Sequence, residues 1–189
     1  DVAAFIDAQN DSFDQTDLQA LAEKVITHIE ENPGDTQAWG MLGRTYQAMQ
    51  KFDEAANAWE RAYQIEPDDP AILVDYAEAR GLTAGGDLSW EPTTLINRAL
   101  AINPDHGKGL ALGGTAAFAE GSYELAIERW TRLMKANLTD TQLMETLQAG
   151  IAEAKIRLVQ SGDQIESNDA NETNTAQTNV IFDGVVRIS

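Results

Sequence analysis

The sequence lacks cysteine, has only two histidines and contains few basic residues. Without cysteine, the chain can form no disulfide, no thiolate nucleophile and no zinc-finger site. Its 13 Lys and Arg face 31 Asp and Glu, so the formal net charge is −18 and no basic face is available for nucleic-acid phosphates. The acidic excess either serves solubility or steers the chain toward a basic partner.

Long apolar runs are also missing. No hydrophobic stretch approaches the roughly 20 residues that a membrane-spanning helix needs. The chain begins at Asp1 without a methionine or a signal-like segment, so we expect a fragment or processed form whose targeting information lies upstream. Its 189 residues suffice for one domain with a substantial core.

The segment 36–69 carries the clearest pattern in the sequence. Its apolar and small residues recur at the spacing of one helix face, twice, before a proline. This order of residue types is the tetratricopeptide (TPR) pattern of about 34 residues, in which small residues let two helices approach while aromatic residues fill the gaps. One such repeat cannot bury its apolar face alone, so we predict further repeats. The pattern residues are Trp39, Leu42, Gly43, Tyr46, Ala55, Trp59, Ala62 and Pro67.

Two further repeats follow in register. Repeat two begins at Asp69-Pro70, an N-cap acid before a proline at the first helical position. Its turn, 81–89, is longer than that of the first repeat, and we predict Ser89 as the cap of its second helix. Repeat three spans 107–140, where Trp130 occupies the position that Trp59 has in the first repeat.

A single helix stands at each end of this array. One begins at Thr16, ends at Asn32-Pro33 and resembles the second half of a preceding repeat. The other, 139–160, has one polar face and caps the array. The predicted fold is all-α, a TPR solenoid of one preceding helix, three helix-turn-helix repeats and a C-terminal capping helix, with a disordered tail and a short terminal β segment.

Four regions are predicted from these patterns. Residues 1–15 form a linker or a loosely docked entry segment, and 16–160 form the TPR domain. Residues 161–178 lack Lys, Arg and aromatic side chains and are predicted to be a disordered linker. Residues 179–189 are rich in β-branched side chains and are predicted to start a truncated β-domain.

No catalytic constellation is visible in the sequence. His28 and His106 are far apart, and neither lies beside a nucleophile. The pair Gly85-Gly86 is not followed by the lysine of a phosphate-binding loop. We predict that the protein is not an enzyme and needs neither a cofactor nor a metal.

A TPR array instead offers a concave surface lined by the first helix of each repeat. We predict that this groove takes an amphipathic helix or an extended peptide. Its two cations, Arg44 and Lys108, are nominated for a ligand carboxylate, the alternative being that each is a solvated surface charge. Phe118 is alternatively a packing residue against the capping helix. The predicted groove residues are Gln37, Gly40, Arg44, Gln47, Ala71, Val74, Glu78, Lys108, Ala111, Thr115 and Phe118.

One kind of ligand is disfavoured already. TPR domains that hold the acidic C-terminal tail of heat-shock proteins use a carboxylate clamp of lysine, two asparagines, lysine and arginine. The matching positions here are Gly40, Arg44, Asp75, Lys108 and Leu112. Only Lys108 fits the clamp, and Asp75 would repel a carboxylate.

Several segments together resemble the TPR subunit of cytochrome c maturation, the CcmI/CycH proteins and their relative NrfG. They are DLQALAEKVITHIEENPGDTQAWGMLGRTY, LINRALAINPDHGKGLAL, YELAIERWTRLM and TLQAGIAEAKIRL, within 16–160. The tail VIFDGVVRIS also resembles the opening of the β-domain that follows the TPR array in longer members.

The resemblance implies a non-catalytic chaperone. Such a domain holds unfolded apocytochrome c, particularly its C-terminal helical segment, and delivers it to the subunits of the haem-ligation complex. It also implies a periplasmic domain that reaches the inner membrane only through segments absent from this chain. The alternative is a general TPR scaffold for protein–protein interaction in a cell-envelope complex.

Overall fold

The computed structural model describes residues 15–136 and 140–161. Every regular element in these ranges is an α-helix, which confirms the all-α prediction. None of these helices is long and apolar enough to cross a membrane. Residues 1–14 and 162–189, which hold nearly all of the predicted linkers and the β segment, lie outside the described residues. The helices are α1 (Gln15–Glu31), α2 (Thr36–Ala48), α3 (Phe52–Ile65), α4 (Pro70–Thr83), α5 (Glu91–Ile102), α6 (Gly107–Ala119), α7 (Tyr123–Met134) and α8 (141–161).

Helices in the first part of the chain pack in sequence order, α1 on α2, α2 on α3, α3 on α4 and α4 on α5. The structure divides into two compact units, and the boundary falls between Ala116 and Ala117, inside α6. The first unit therefore holds α1 to α5 and most of α6. The second holds the end of α6 with α7 and α8.

The centre of the first unit is Trp59 of α3, whose side chain is only 1% exposed. Two glycines of α2, Gly40 and Gly43, face its indole ring. A Cβ atom at position 43 would lie 2.5 Å from the Trp59 Nε1 atom, closer than real Cβ contacts allow. Because the glycine leaves this space open, α2 and α3 approach closely, as the repeat pattern predicts.

Local side chains fix where two of the groove helices begin. The Asp35 carboxylate accepts a hydrogen bond from the Ala38 N–H at 3.1 Å, at the start of α2. The Asp69 carboxylate accepts bonds from the N–H groups of Ala71 and Ile72, at 2.7 and 3.0 Å, at the start of α4. Both predicted caps are confirmed, and each satisfies backbone donors that a helix start leaves unpaired.

The turn of the second repeat differs from the prediction. Its first residues remain helical, because α4 continues to Thr83, and Gly81 is buried against Leu88. Helix α5 begins at Glu91, so the assignment of Ser89 as its cap was wrong. The Ser89 N–H donates to the Asp87 carboxylate at 2.8 Å, and the chain passes through one more residue before the helix starts.

That extra residue is Trp90, which stands at the N-cap position without a side-chain cap. Its φ of 62° lies in the left-handed region, which side chains other than glycine rarely adopt. Its ring is 88% exposed. The Thr94 hydroxyl donates a hydrogen bond to the Trp90 carbonyl at 2.9 Å.

The second unit is built around Trp130 of α7. The Phe118 ring lies 5.9 Å from the Trp130 ring and 5.5 Å from the Tyr123 ring, measured between centroids. Gly150 of α8 lies so close to the Trp130 ring that a Cβ atom at position 150 would be 3.1 Å from it. The predicted capping helix is therefore present, and Asp140 accepts a hydrogen bond from the Leu143 N–H at its start.

Candidate functional site

The predicted groove residues lie on the first helix of each repeat, α2, α4 and α6. All except Phe118 belong to the first unit. Phe118 packs within the second unit against two aromatic rings of α7, and not of the capping helix that the alternative interpretation named. Val74 is completely buried, because α6 passes over it at Gly109, and its side chain is not accessible to a ligand.

Ion pairs link the three helices at the centre of this surface. The Lys108 ammonium of α6 lies 2.5 Å from Oδ1 of Asp75 and 2.8 Å from Oε2 of Glu78, both on α4. The Arg44 guanidinium of α2 lies 3.6 Å from the other Asp75 oxygen. A single carboxylate, Asp75, therefore bridges the two cations of the predicted groove.

A glutamine connects these charges to the core. The Gln47 side-chain amide donates to the Glu78 carboxylate at 3.0 Å, and its oxygen accepts from the Trp59 indole N–H at 3.3 Å. The Arg44 guanidinium also lies over the Trp59 ring, 5.4 Å from its centroid. We call this set the groove cluster. Its members are Arg44, Gln47, Asp75, Glu78 and Lys108.

The groove cluster is formally neutral, with two cations and two carboxylates. Partial burial alone would lower the pKa of Lys108, but the hydrogen bonds that it donates to Asp75 and Glu78 outweigh burial and raise that pKa. Lys108 is therefore charged at neutral pH. The Asp75 side chain is only 14% exposed, so the two cations compensate a carboxylate that is largely buried.

The sequence nominated Arg44 and Lys108 for the carboxylate of a ligand. In the folded chain both cations already face carboxylates of the chain itself. Asp75 was recognised in the sequence as a repulsive residue, but not as the partner of both cations. The sequence gives no sign of this pairing, because Lys108 lies 33 residues from Asp75.

Next to the groove cluster is a cleft of about 450 Å³ between α2, the end of α3 and the start of α4. We call it the groove cleft. It contains four of the predicted residues and several that the sequence analysis missed. The lining residues are Thr36, Gln37, Gly40, Met41, Arg44, Trp59, Glu66, Asp69, Ala71 and Ile72.

The most exposed large apolar side chain of the groove cleft is Met41, at 49%. It lies four residues after Gln37 and three before Arg44, so helical spacing placed it on the same face. Two acidic residues, Glu66 and Asp69, stand at the cleft rim. Asp69 caps α4, and Glu66 accepts a hydrogen bond from Thr36. The cleft thus combines the exposed Met41 side chain with two carboxylates and the Arg44 guanidinium.

A second cleft, of about 340 Å³, lies between α1 and α2. Gln37 and Met41 line both clefts, so the apolar surface continues across α2. The second unit has its own cleft of about 570 Å³, which lies between α7 and α8 and includes Lys135 and Lys155 in its lining.

Both histidines have partners at helix starts. The Nε2 atom of His28 lies 2.9 Å from the Asp35 carboxylate. The Nδ1 atom of His106 accepts the Gly109 N–H at 3.1 Å, in the first turn of α6. Among the described residues, no group of three or more His, Cys, Asp or Glu side chains is placed to hold a metal ion.

Comparison with known proteins gives one family. The model of the family described as "Cytochrome c-type biogenesis protein H TPR domain" matches residues 3–143. The protein CycH from Pseudomonas aeruginosa is 29% identical over 145 residues, which cover 77% of this chain and 36% of that protein. The chain therefore spans only 36% of the length of this curated relative, as it does of two rhizobial CycH proteins.

Two more similarities extend the comparison. NrfG, a formate-dependent nitrite reductase complex subunit from Escherichia coli O157:H7, is 26% identical over 136 residues, which cover 70% of this chain and 67% of NrfG. The solved structure of the first TPR domain of RPAP3, in complex with an HSP90 peptide, superposes with a TM-score of 0.55 at 21% identity. It covers 64% of this chain and 95% of that domain. This likeness shows the fold alone, and it supports the TPR architecture.

Proposed function

The chain belongs to the cytochrome c-type biogenesis protein H TPR domain family, and from that premise we propose that it is a peptide-binding chaperone domain of cytochrome c maturation. Its client is apocytochrome c, held through the C-terminal helical segment and delivered to the haem-ligation complex. The domain binds and positions the client, and does not catalyse a reaction.

The groove cleft carries this proposal. It places the half-exposed Met41 next to Ala71, among polar and charged lining residues. A cleft of this kind accepts one apolar side chain of an amphipathic peptide and orients the peptide by its polar neighbours. Because the surface continues across α2 into the second cleft, a helical client has room for a second anchor one turn away.

Electrostatics favour a basic client. The chain carries a net charge of −18, and Glu66 and Asp69 stand at the rim of the groove cleft. A lysine next to an apolar anchor would meet these carboxylates as the anchor enters the cleft. Unfolded basic segments are thus attracted both by the whole molecule and by the local site.

We further propose that the domain acts in the periplasm, in a longer protein that is tethered to the inner membrane. This placement rests on the family, whose named members take part in cytochrome c biogenesis. It makes the domain a neighbour of the haem-ligation complex, to which the client is delivered.

Calorimetry with a synthetic apocytochrome c C-terminal peptide tests the proposal. We expect saturable binding, and about fivefold weaker binding to Met41→Ala, because the lost contact of a partly buried methionine is worth roughly 1 kcal/mol. The matched control is Ile102→Ala, since Ile102 is 47% exposed, close to the 49% of Met41, and does not line the groove cleft. Equal affinity for the native and a scrambled peptide would favour a general TPR scaffold instead.

A further inference from the structure

We infer that the groove recognises side chains of its client and not the client's terminal carboxylate, and that Asp75 determines this specificity. The inference rests on the proposed function for the identity of the client. It concerns the groove cluster, which decides what charge the surface offers to a ligand.

A site that recognises a terminal carboxylate needs a cation whose charge is not already compensated by carboxylates of the protein. Among the predicted groove residues, Arg44 and Lys108 are the only cations, and both contact Asp75. Lys108 also binds Glu78 at 2.8 Å. At Lys108 a ligand carboxylate would have to displace Asp75 or join it and Glu78 as a third negative charge, which is unfavourable where Asp75 is largely buried. The Arg44 side chain is 70% exposed, and a carboxylate that bound it would lie next to Asp75, which weakens the attraction.

The cluster is also held in place from the core. Glu78 accepts a hydrogen bond from Gln47, and Gln47 in turn accepts one from the indole of Trp59. The Arg44 guanidinium lies over the same indole. Trp59 is among the most buried side chains of the first unit, so it holds Gln47 and Arg44 in place. Releasing a cation would therefore break several contacts together.

What remains for a ligand is apolar surface with acidic neighbours. Met41 is half exposed, and Glu66 and Asp69 face the same cleft. This surface fits an apolar side chain accompanied by a lysine or arginine. Both features are side chains, so binding does not require the charge of the client's terminal carboxylate.

The first test compares one peptide in two chemical forms. The apocytochrome c C-terminal peptide is synthesised as the free acid and as the C-terminal amide, and both are titrated into the wild-type protein. We expect affinities within threefold of each other. A larger loss on amidation would overturn the inference while leaving the proposed function intact, and absence of binding by both forms would instead refute the proposed function.

The second test uses a substitution at Asp75 that should give the groove the ability to recognise a carboxylate. Asp75→Asn removes the charge that bridges Arg44 and Lys108 and keeps nearly the same shape, so we expect at least fivefold tighter binding of the free acid than of the amide. The control is Asp68→Asn, which changes the net charge equally at the exposed partner of Arg98. Circular dichroism melting checks that both variants are folded.

A third measurement does not depend on apocytochrome c. An acidic C-terminal tail peptide of a heat-shock protein, ligand of the TPR domains that carry a carboxylate clamp, is titrated into both proteins. We expect no binding to the wild type and measurable binding to Asp75→Asn that is lost on amidation. Carboxylate-dependent binding to the wild type would overturn the inference, as would its absence in a folded Asp75→Asn variant.

Discussion

At the scale of single residues, Trp59 links the fold to the candidate site. Its indole packs against Gly40 and Gly43, and its N–H donates to Gln47 of the groove cluster. A residue of the repeat pattern thus also supports the polar residues that the pattern leaves free. Changes at the glycines are expected to affect both the stability of the first unit and the geometry of the groove.

Gly43→Ala tests this close packing. The added Cβ would lie 2.5 Å from Trp59 Nε1 and 2.8 Å from its Cδ1, so the buried ring must move. We expect a loss of about 1–3 kcal/mol in the free energy of unfolding, since overpacking outweighs the gain in helix propensity. Urea denaturation measures it. The control is Gly34→Ala, where nothing lies within 4 Å, and equal stability of the two variants would contradict the packing argument.

At the scale of elements, the start of α2 shows how neighbouring helices are tied together. Asp35 caps α2 and contacts His28 of α1, while the Trp39 indole of α2 donates to the Pro33 carbonyl in the connecting turn. The hydrogen bond from His28, followed by that from the Ala38 N–H, lowers the pKa of Asp35. The cap therefore also fixes α1 against the first repeat.

The lowered pKa of Asp35 predicts a specific pH dependence. The folded state holds this carboxylate unprotonated more strongly than the unfolded state does. Its contribution to stability is therefore complete above the ordinary Asp pKa and is lost as the pH falls through the lower folded value. The variant Asp35→Asn keeps a capping side chain but removes the charge.

We expect the melting temperature of the wild type to exceed that of Asp35→Asn at neutral pH. The difference should shrink between about pH 5 and pH 2, as the carboxylate becomes protonated. Circular dichroism melts across this range measure it. Asp53→Asn, on α3, is the control for the change in net charge, and a difference that grows between pH 5 and pH 2 would contradict the assignment.

At the scale of the whole molecule, charge is the dominant property. A net charge of −18 on 189 residues produces a field that reaches a basic ligand before contact. The groove cluster is neutral by itself, so this attraction comes from the remaining surface and from the rim of the groove cleft. Long-range attraction and local recognition therefore arise from different residues.

This separation predicts a salt-dependent association rate. The rate constant for a lysine-rich client peptide should fall about tenfold between roughly 10 mM and 150 mM salt, because counterions screen the long-range field. Stopped-flow fluorescence measures it. The same peptide with its lysines replaced by glutamines is the control and should show little dependence. An association rate independent of salt would show that the net charge has no steering role.

The sequence predicted features that depend on a few neighbouring residues. The caps at Asp35 and Asp69, and the close approach at Gly43, follow from local hydrogen bonding and from residue size at helical spacing. The cap of α5 was wrong, because the loop of the second repeat makes its own hydrogen bonds before the helix begins at Glu91.

The candidate site was predictable only in part. Helical spacing placed Arg44, Gln47, Glu78 and Lys108 on the first helices of their repeats, and the structure joins these four through ion pairs and hydrogen bonds. Helical spacing did not predict that Val74 lies beneath α6, because burial depends on how closely a later helix approaches.

By itself the sequence determined the all-α class, the repeat register and the starts of α2, α4 and α6, since periodicity and capping act within a few turns of chain. Only the tertiary structure decided the partners of Arg44 and Lys108. The ion pair of Lys108 with Asp75 joins residues 33 positions apart, on helices that meet only after the repeats stack. The physical reason is that an ion pair requires two charged atoms within about 4 Å, and no local rule specifies where separate helices bring them together.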